Sequence, residues 1–475
     1  MKKFFIVVFV LLIIAGKTFA QGNAHSDSIK VINGKEFYNH KIQKGETLSE
    51  LAKEYHLTIK EIEDANPKLG KALKAGKYIY IPYKEHKVKH EQAPVDSAKI
   101  KPAKPSNETM NVALLMRLNF PVINEEDTTH DKPIFFEQKE NASTNSSLEF
   151  YEGVMAALDS LKKLGIKVNL NTFDYPEEVE DQNKFLTNPE LKKMNLIIAE
   201  VFSPQIEKIA SYAKMNKIPM IYPFSNIALI EENPYIAILS PSLNTQYKLM
   251  AKFISEHYRF DNIIILHTNS VKEKEIDSIY TEIIEKPWAS SGNKHTVKHI
   301  NIYGKELDII KKSLDTAGEN IIIANTQDEA TIVDLLGKLN TYRADYDITL
   351  IGSSKWENYE TLDIDYLQNL DFHCFTTNFI NQDDSLLKVF FDNFFAKYHY
   401  EPTIYTLKGY DIMNYFGNAF MRFNGIKFEG KMLEYRMKGL STSFDFKKSI
   451  EANGLENQYI HVVKYDDFRV KKANE

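Results

Sequence analysis

Apolar positions follow successive patterns along the chain. An unbroken apolar run, Phe4 to Ala15, stands behind Lys2 and Lys3 and ahead of the small residues Thr18 and Ala20. Residues 1–20 therefore read as a signal peptide cut after Ala20, because the run is shorter than the roughly 20 apolar residues of a spanning helix. No later segment is long and apolar enough to span a membrane. Next, Tyr38, His40 and Ile42 alternate with Asn39, Lys41 and Gln43, as in a half-buried strand that breaks at Gly45. Thr47 and Glu50 form a capping-box pair ahead of Leu48, Leu51, Ala52 and Tyr55, which share one helical face. A second box, Thr58 and Glu61, opens a helix in which Ile59, Ile62 and Ala65 are expected to face inward and Leu57 to staple onto Ile62. Asn66-Pro67 ends that helix, and Tyr78 to Ile81 is a strand closed by Pro82. The order is strand, helix, helix, strand, and helices this short hold only by packing on the sheet.

From 83 to 109 the pattern is lost. Lys84, Lys87, Lys89, Lys99, Lys101 and Lys104 are interspersed with Pro94, Pro102 and Pro105, the composition of an extended, solvated tether. His86 and His90 would share a metal only on a helix, which this composition does not support. Beyond Asn111, short apolar runs alternate with amphipathic helices such as Leu148 to Lys163 and Gln246 to His257. The runs are Val112–Leu118, Leu196–Ser203, Ile218–Ser225, Asn262–Thr268, Asn320–Thr326 and Ile348–Ser354. Unbroken apolar runs suit strands covered on both faces, so the fold class is α/β: a small βααβ module followed by a parallel-sheet domain.

The module over residues 38–82 resembles a LysM domain in its opening YNHKIQKGETLSELAKEYHLT, in Asn66-Pro67, in Leu73-Lys74-Ala75-Gly76 and in IYIP. The resemblance implies binding of N-acetylglucosamine-containing glycans in a shallow groove between two loops. Mapped here, the groove would be formed by Gly45, Glu46, Thr47 and Leu48, by Asn66, Pro67, Lys68 and Leu69, and by Lys74, Ala75 and Gly76. Glu46 stands where the family often has Asp, which keeps the charge.

Residues 110–475 resemble the type 1 periplasmic-binding-protein fold, carried by VALLMRL with EFYEGVMAALDSLKKLG, by IPMIYPFSN, by IAILSPSLNTQYKLMAKFISEHYRFDNIIILHT and by EPTIYTLKGYDIMNYFGNAF. That resemblance implies two lobes, one of about 110–238 and 355–425, the other of about 239–354 and 426–475. In amino-acid-binding relatives, hydroxyls and backbone amides after the strands hold the ligand's carboxylate and amine. The matching positions are Ser203, Ser225 and Ser242, with Asn325, Thr326 and Asp328 opposite. The alternative role for the serines is helix capping. Two departures stand out: a long polar and aromatic insertion, Asn119 to Ser147, after the first strand, and no closing aromatic in HTNSVKEKE. The insertion carries Ile134, Phe135 and Phe136, an apolar cluster that needs a partner or a cleft if it is exposed.

Composition narrows the function classes. With 43% hydrophobic and 26% charged residues the chain is ordinary globular protein, and a net charge of −6 gives no basic field for nucleic acid. Cys374 is the only cysteine, which rules out an intramolecular disulfide and a lipid-modified cysteine at the cleavage site; within DFHCFTT it reads as a buried, inert thiol. A wall hydrolase is the natural rival reading, but HExxH and GxSxG are absent and the histidines show no zinc-like clustering. Glu125 with Glu126, and Asp383 with Asp384, read as solvated surface pairs. The sequence thus describes a non-catalytic, exported peptidoglycan-binding protein, periplasmic or secreted, with a scaffold or regulatory domain held at the wall. A wall-tethered binder of an amino acid or muropeptide is the alternative, and a peptidoglycan hydrolase comes last. Glycan strands and an envelope protein are the expected partners; no metal or cofactor is expected.

Overall fold

The structure, a computed structural model, describes residues 28–32, 35–42, 47–54, 57–66, 73, 77–82, 108–118, 142–201, 206–258, 261–290, 296–304, 307–316, 318–451 and 453–473. The signal segment, the tether up to residue 107 and residues 119–141, with Ile134, Phe135 and Phe136, lie outside them. The chain divides into two compact units, Met1–Ala93 and Pro94–Glu475.

In the first unit, β1 (Ser28–Ile32) and β2 (Lys35–Lys41) precede α1 (Leu48–Glu54), α2 (Ile59–Ala65) and β3 (Tyr78–Pro82). The expected strand, helix, helix, strand order is present, with β1 added to β2 to give an antiparallel sheet ordered β1-β2-β3. Its core is Ile42, Leu51, Ala52, Leu57, Ile62, Ile79 and Ile81. The second capping box is formed: the Thr58 hydroxyl accepts from the Glu61 N–H at 3.3 Å, and the Glu61 carboxylate accepts from the Thr58 N–H at 2.8 Å. Ile59 departs from expectation. As the first residue of a seven-residue helix it is 41% exposed, because only Ile62 of α2 reaches the sheet as a buried side chain.

The second unit begins with β4 (Thr109–Met116), α3 (Ala142–Lys163), β5 (Lys167–Asp174), α4 (Val179–Phe185), β6 (Leu196–Glu200), α5 (Ile206–Asn216), β7 (Met220–Tyr222) and β8 (Ile236–Ile238). The chain then enters the second lobe through α6 (Leu243–His257), β9 (Asn262–His267), α7 (Val271–Ser290), β10 (Lys298–Asn301), β11 (Glu319–Ala324), α8 (Glu329–Tyr342), β12 (Asp347–Ile351), α9 (Ile364–Asn369) and β13 (His373–Thr376). It returns through α10 (Ser385–Tyr398), α11 (Ile404–Phe423), β14 (Met437–Lys438), β15 (Ser443–Phe444), β16 (Phe446–Lys447) and β17 (Leu455–Asn457), and finishes with β18 (His461–Asp466) and β19 (Arg469–Lys472). Lobe one is a seven-stranded sheet ordered β16-β17-β8-β7-β6-β4-β5; lobe two is another ordered β10-β9-β11-β12-β13-β18-β19. Neighbours are parallel except where the C-terminal strands add: β16 on β17, β18 on β13 and β19 on β18 are antiparallel. Each apolar run read as a strand is one, and β6, β7 and β8 are buried along their whole length because helices cover both faces.

The lobe boundaries differ from the sequence expectation. Residues 355–376, assigned to lobe one, belong to lobe two, because β13 continues its sheet beside β12 and Trp356 stacks on Phe372 at a centroid distance of 5.3 Å. Residues 426–457, assigned to lobe two, belong to lobe one, where Ile426, Phe428, Met432, Tyr435, Phe444 and Leu455 join the core. The insertion is also shorter than expected, since residues 142–147 open α3.

Two carboxylates tie the places where the chain crosses between lobes. Asp411 on α11 is fully buried and accepts from the N–H groups of Leu440 (2.6 Å), Ser441 (2.8 Å) and Thr442 (3.3 Å) and from the Ser441 hydroxyl (2.9 Å). The Ser441 carbonyl in turn accepts from the Phe379 N–H at 2.8 Å and lies 2.9 Å from His461 Nε2, while the Thr442 hydroxyl donates to the Thr377 carbonyl at 3.0 Å. Glu456 accepts from the Ser242 N–H at 2.7 Å and from the Thr245 hydroxyl at 2.9 Å. The crossings after Ile238, Thr376 and Asn457 are thereby joined to one another or to α11.

α3 and α11 touch backbone to backbone. A Cβ on Gly409 would stand 2.1 Å from the Phe150 carbonyl oxygen, and one on Gly153 would stand 1.9 Å from that of Thr406. Gly337, inside α8, has nothing within 4 Å of its Cβ position. The same substitution should therefore act with opposite sign at the two places. Gly409→Ala is expected to destabilise by at least about 1–3 kcal/mol through overpacking, whereas Gly337→Ala should stabilise by about 0.5–1 kcal/mol through helix propensity. Chemical denaturation of the two variants checks both signs.

Candidate functional site

In the small module the described groove residues are Thr47, Leu48 and Asn66; Gly45, Glu46, Pro67, Lys68, Leu69, Lys74, Ala75 and Gly76 lie outside the described residues. Thr47 is exposed just ahead of α1, and Leu48, its first residue, packs on the core. Asn66 caps α2 and spends its side-chain amide internally. Its Nδ2 donates to the carbonyls of Ile62 (2.7 Å) and Tyr80 (2.5 Å), and its Oδ1 accepts from the Tyr80 N–H at 2.9 Å. Asn66 thus fixes where the chain leaves α2 relative to β3.

In the large unit Ser203 lies outside the described residues, and Ser225 is exposed just past β7. Ser242 N-caps α6: its hydroxyl accepts from the Thr245 N–H at 3.3 Å. Asp328 N-caps α8, accepting from the Thr331 N–H at 2.9 Å and from the Thr331 hydroxyl, and these bonds hold its carboxyl below the usual range. Asn325 and Thr326 follow β11 and are buried; Asn325 Nδ2 donates to Asp277 Oδ1 at 2.9 Å, and the Thr326 carbonyl accepts from Trp356 Nε1 at 3.2 Å. The structure brings Asn325, Thr326 and Asp328 together after β11. Among the described residues no hydrogen bond joins them to Ser225 or Ser242.

Two clusters were not anticipated from the sequence. On lobe two a pocket of about 570 Å³ is lined by His267, Lys274, Asp277, Thr281, Glu282 and His299. His267 ends β9 and His299 lies on β10, so the pocket opens beside the Asn325–Asp277 bond; Asp277 is raised by burial against that bond and the two imidazoles. The spacing of Lys274, Asp277 and Thr281 along α7 was the available signal.

On lobe one, Glu200 at the end of β6 is buried, and the Ser147 hydroxyl on α3 donates to its Oε2 at 2.6 Å. Lys408 on α11 is buried beside it with Nζ 5.4 Å from the centre of the Phe224 ring. Burial pushes Glu200 up to about 7, against the Ser147 bond and the Lys408 charge, and pushes Lys408 down to about 8, against the Glu200 charge. Burial, with the Glu200 charge second, raises Tyr222 on β7. In the sequence the signal was an acid within LIIAEVF, the only charge in an apolar strand. Because the folded state holds the Glu200 proton above its unfolded value of 4.5, its contribution to stability falls as pH rises from about 4.5 to about 7. Lys408 acts oppositely: the folded state sheds its proton first, so stability on its account rises between about 8 and 10.5. Glu200→Gln, which mimics the protonated acid, should therefore have an unfolding temperature more favourable relative to wild type at pH 8 than at pH 5. Thermal melts at the two pH values check the difference.

Comparison with known proteins adds the family. Residues 144–454 match the family model for the receptor family ligand binding region, and residues 40–82 match that for the LysM domain. No curated protein matches the chain in sequence. Among solved structures, a Rhodospirillum rubrum protein assigned to branched-chain amino acid ABC transport superposes with a TM-score of 0.51 at 12% identity, over 77% of this chain and 100% of that one. A leucine complex of an ABC transporter substrate-binding protein from Desulfitobacterium hafniense gives 0.43 at 15%, over 77% and 100%. The C-domain of LpoA from Haemophilus influenzae, a regulator of PBP1A, gives 0.46 at 10%, over 76% and 99%. With its βααβ module matched as LysM and more than half of its length covered by the second match, the chain belongs to the receptor ligand-binding-region family, on the two-lobed fold of type 1 periplasmic binding proteins.

Proposed function

We propose that this chain is a non-catalytic, exported peptidoglycan-binding protein in which the LysM module holds the two-lobed domain at the cell wall, where that domain serves as a scaffold or regulator of an envelope partner. The observation that carries the reading is the LysM match over residues 40–82, which falls on a folded unit with its own core, Ile42 to Ile81. The glycan target is the N-acetylglucosamine-containing strand, met by the loops at 45–48, 66–69 and 74–76. Residues 1–20 direct export and the tether, which ends where β4 begins at Thr109, links the module to the large domain. Cys374 supports a non-catalytic role, since it is buried on β13 and burial pushes its thiol up, away from the reactive thiolate. No helix among the described residues is long and apolar enough to cross a membrane.

A second reading, a wall-tethered binder of an amino acid or muropeptide, is favoured by one observation. Lys408, 8% exposed, ends with Nζ 5.4 Å from the centre of the Phe224 ring and has no hydrogen-bond acceptor among the described residues.

Purified peptidoglycan should sediment the fragment 21–105 and retain much less of 106–475. Equal sedimentation of the two fragments would remove the anchor from residues 38–82. Gly45→Val should weaken retention of the full chain, since a glycine ahead of a helix cap is poorly replaced by a β-branched residue. Wild-type retention by a folded variant would move the groove elsewhere.

A further inference from the structure

The pocket of about 570 Å³ on lobe two lies against α7, β9 and β10, and every residue that lines it falls between 267 and 299. β10 is the last strand of its sheet, so the pocket sits on the flank of one lobe and takes nothing from the other. The hydrogens around it can be assigned one by one. His267 Nδ1 stands 2.9 Å from the Thr268 carbonyl oxygen, which only accepts, so that nitrogen carries the proton and the neutral ring keeps its lone pair on Nε2. The Thr281 hydroxyl donates to the Asp277 carbonyl at 2.7 Å and therefore accepts from His299 Nε2 at 3.2 Å, which leaves the lone pair of His299 on Nδ1. The Ser278 hydroxyl is spent on the Lys274 carbonyl at 2.9 Å. Asp277 is 5% exposed and takes Asn325 Nδ2 on Oδ1 alone. Its Oδ2 has no partner among the described residues and is not sealed in, so it opens on the pocket. What is left over is two imidazole lone pairs, one oxygen of Asp277 and the exposed carboxylate of Glu282, against a single donor group, Lys274.

We propose that this flank pocket binds a primary ammonium group, held by the Asp277 carboxylate and the imidazoles of His267 and His299. A surplus of acceptors calls for a guest that brings hydrogens, and an ammonium brings three. Two carboxylates against one lysine call for a single positive charge, and Lys274, one turn before Asp277 on α7, repels a second. A monoamine therefore fits better than a diamine. Burial raises Asp277 against the Asn325 bond and the two imidazoles, and a cation beside it offsets that desolvation. The rings lie 6.5 Å apart between centres on neighbouring strands, with His267 opposite Asn301 and His299 opposite Ile265. A metal ion suits the place less well, since no three His, Cys, Asp or Glu side chains among the described residues are set to hold one. The volume is that of a small-molecule pocket. A free alkylamine and the side-chain amine of a lysine-like residue in a peptide share the chemistry. The site is separate from the interlobe cleft and from the glycan groove, and either reading of the chain can hold without it.

The test uses the full chain, with n-butylamine as the free amine and Nα-acetyl-L-lysine amide as the side-chain amine. Each is set against a neutral partner, n-butanol and Nα,Nε-diacetyl-L-lysine amide, and both against tetramethylammonium, a cation without N–H donors. Saturation-transfer NMR titrations give the affinities. At least one amine is expected to bind roughly 10- to 100-fold more tightly than its neutral partner and than tetramethylammonium, the range of one hydrogen bond to a charged group. Which of the two amines does so names the source. Asp277→Asn, which keeps the shape, should remove the difference, and Glu282→Gln should reduce it. Lys274→Met should instead strengthen amine binding, a gain that lost packing would not give. No binding by either amine, equal binding of an amine and its neutral partner, or affinities unmoved by Asp277→Asn would overturn the site, as would Zn²⁺ binding where neither amine does. Far-ultraviolet circular dichroism reports the fold of each variant. If Asp277→Asn does not fold, Glu282→Gln and Lys274→Met decide, both changing exposed side chains, and affinities unmoved by the pair would overturn the proposal.

Discussion

A carboxylate enclosed in protein persists only where donors surround it, and Asp411 has them from three consecutive residues. Burial still lifts it to about 6, so the hydrogen bonds offset much but not all of the desolvation. The same donors belong to a segment whose carbonyl and hydroxyl groups reach the crossings at Thr377, Phe379 and His461. His461 is buried and driven down to about 3, so it meets the Ser441 carbonyl as a neutral imidazole. Two lobes with separate cores are in this way referred to a single side chain on α11. Glu456 does the corresponding work at the remaining crossing. The position of α11 itself follows from glycines that let its backbone lie against α3.

The central strands were legible because their covering on both faces leaves a local mark. Ile263, Ile264, Ile265 and Leu266 are consecutive, and all are buried. β5 left no such mark, since as the last strand of its sheet it alternates exposed and half-buried positions in KVNLNTFD. Lobe membership was illegible for a different reason. His373–Thr376 reads as a strand from its own residues, but which sheet it joins is set by pairing with His461–Lys464, far along the chain. Non-local pairing leaves no trace in periodicity.

The site divides along the same line. Ser242 and Asp328 follow a local pattern, a polar side chain three residues before a threonine N–H, and the structure uses both as caps. Glu200 and Lys408 are far apart in sequence and meet only after α3, α11 and β6 have packed. Asn66 lies between these cases. It was read as a groove residue because of its motif, and its side chain closes the module internally, onto Ile62 and Tyr80.

The lone sulfhydryl has a consequence for how this molecule can be observed. Cys374 lies on β13 between β12 and β18, in the middle of the lobe-two sheet, and is fully enclosed. With no second thiol in the chain, folding cannot be trapped by mispaired intramolecular disulfides and needs no oxidant, whichever side of a membrane it takes place on. The same enclosure turns the residue into a clock. An alkylating reagent reaches it only when the lobe-two core opens, so its labelling rate reports that opening separately from the rest of the chain.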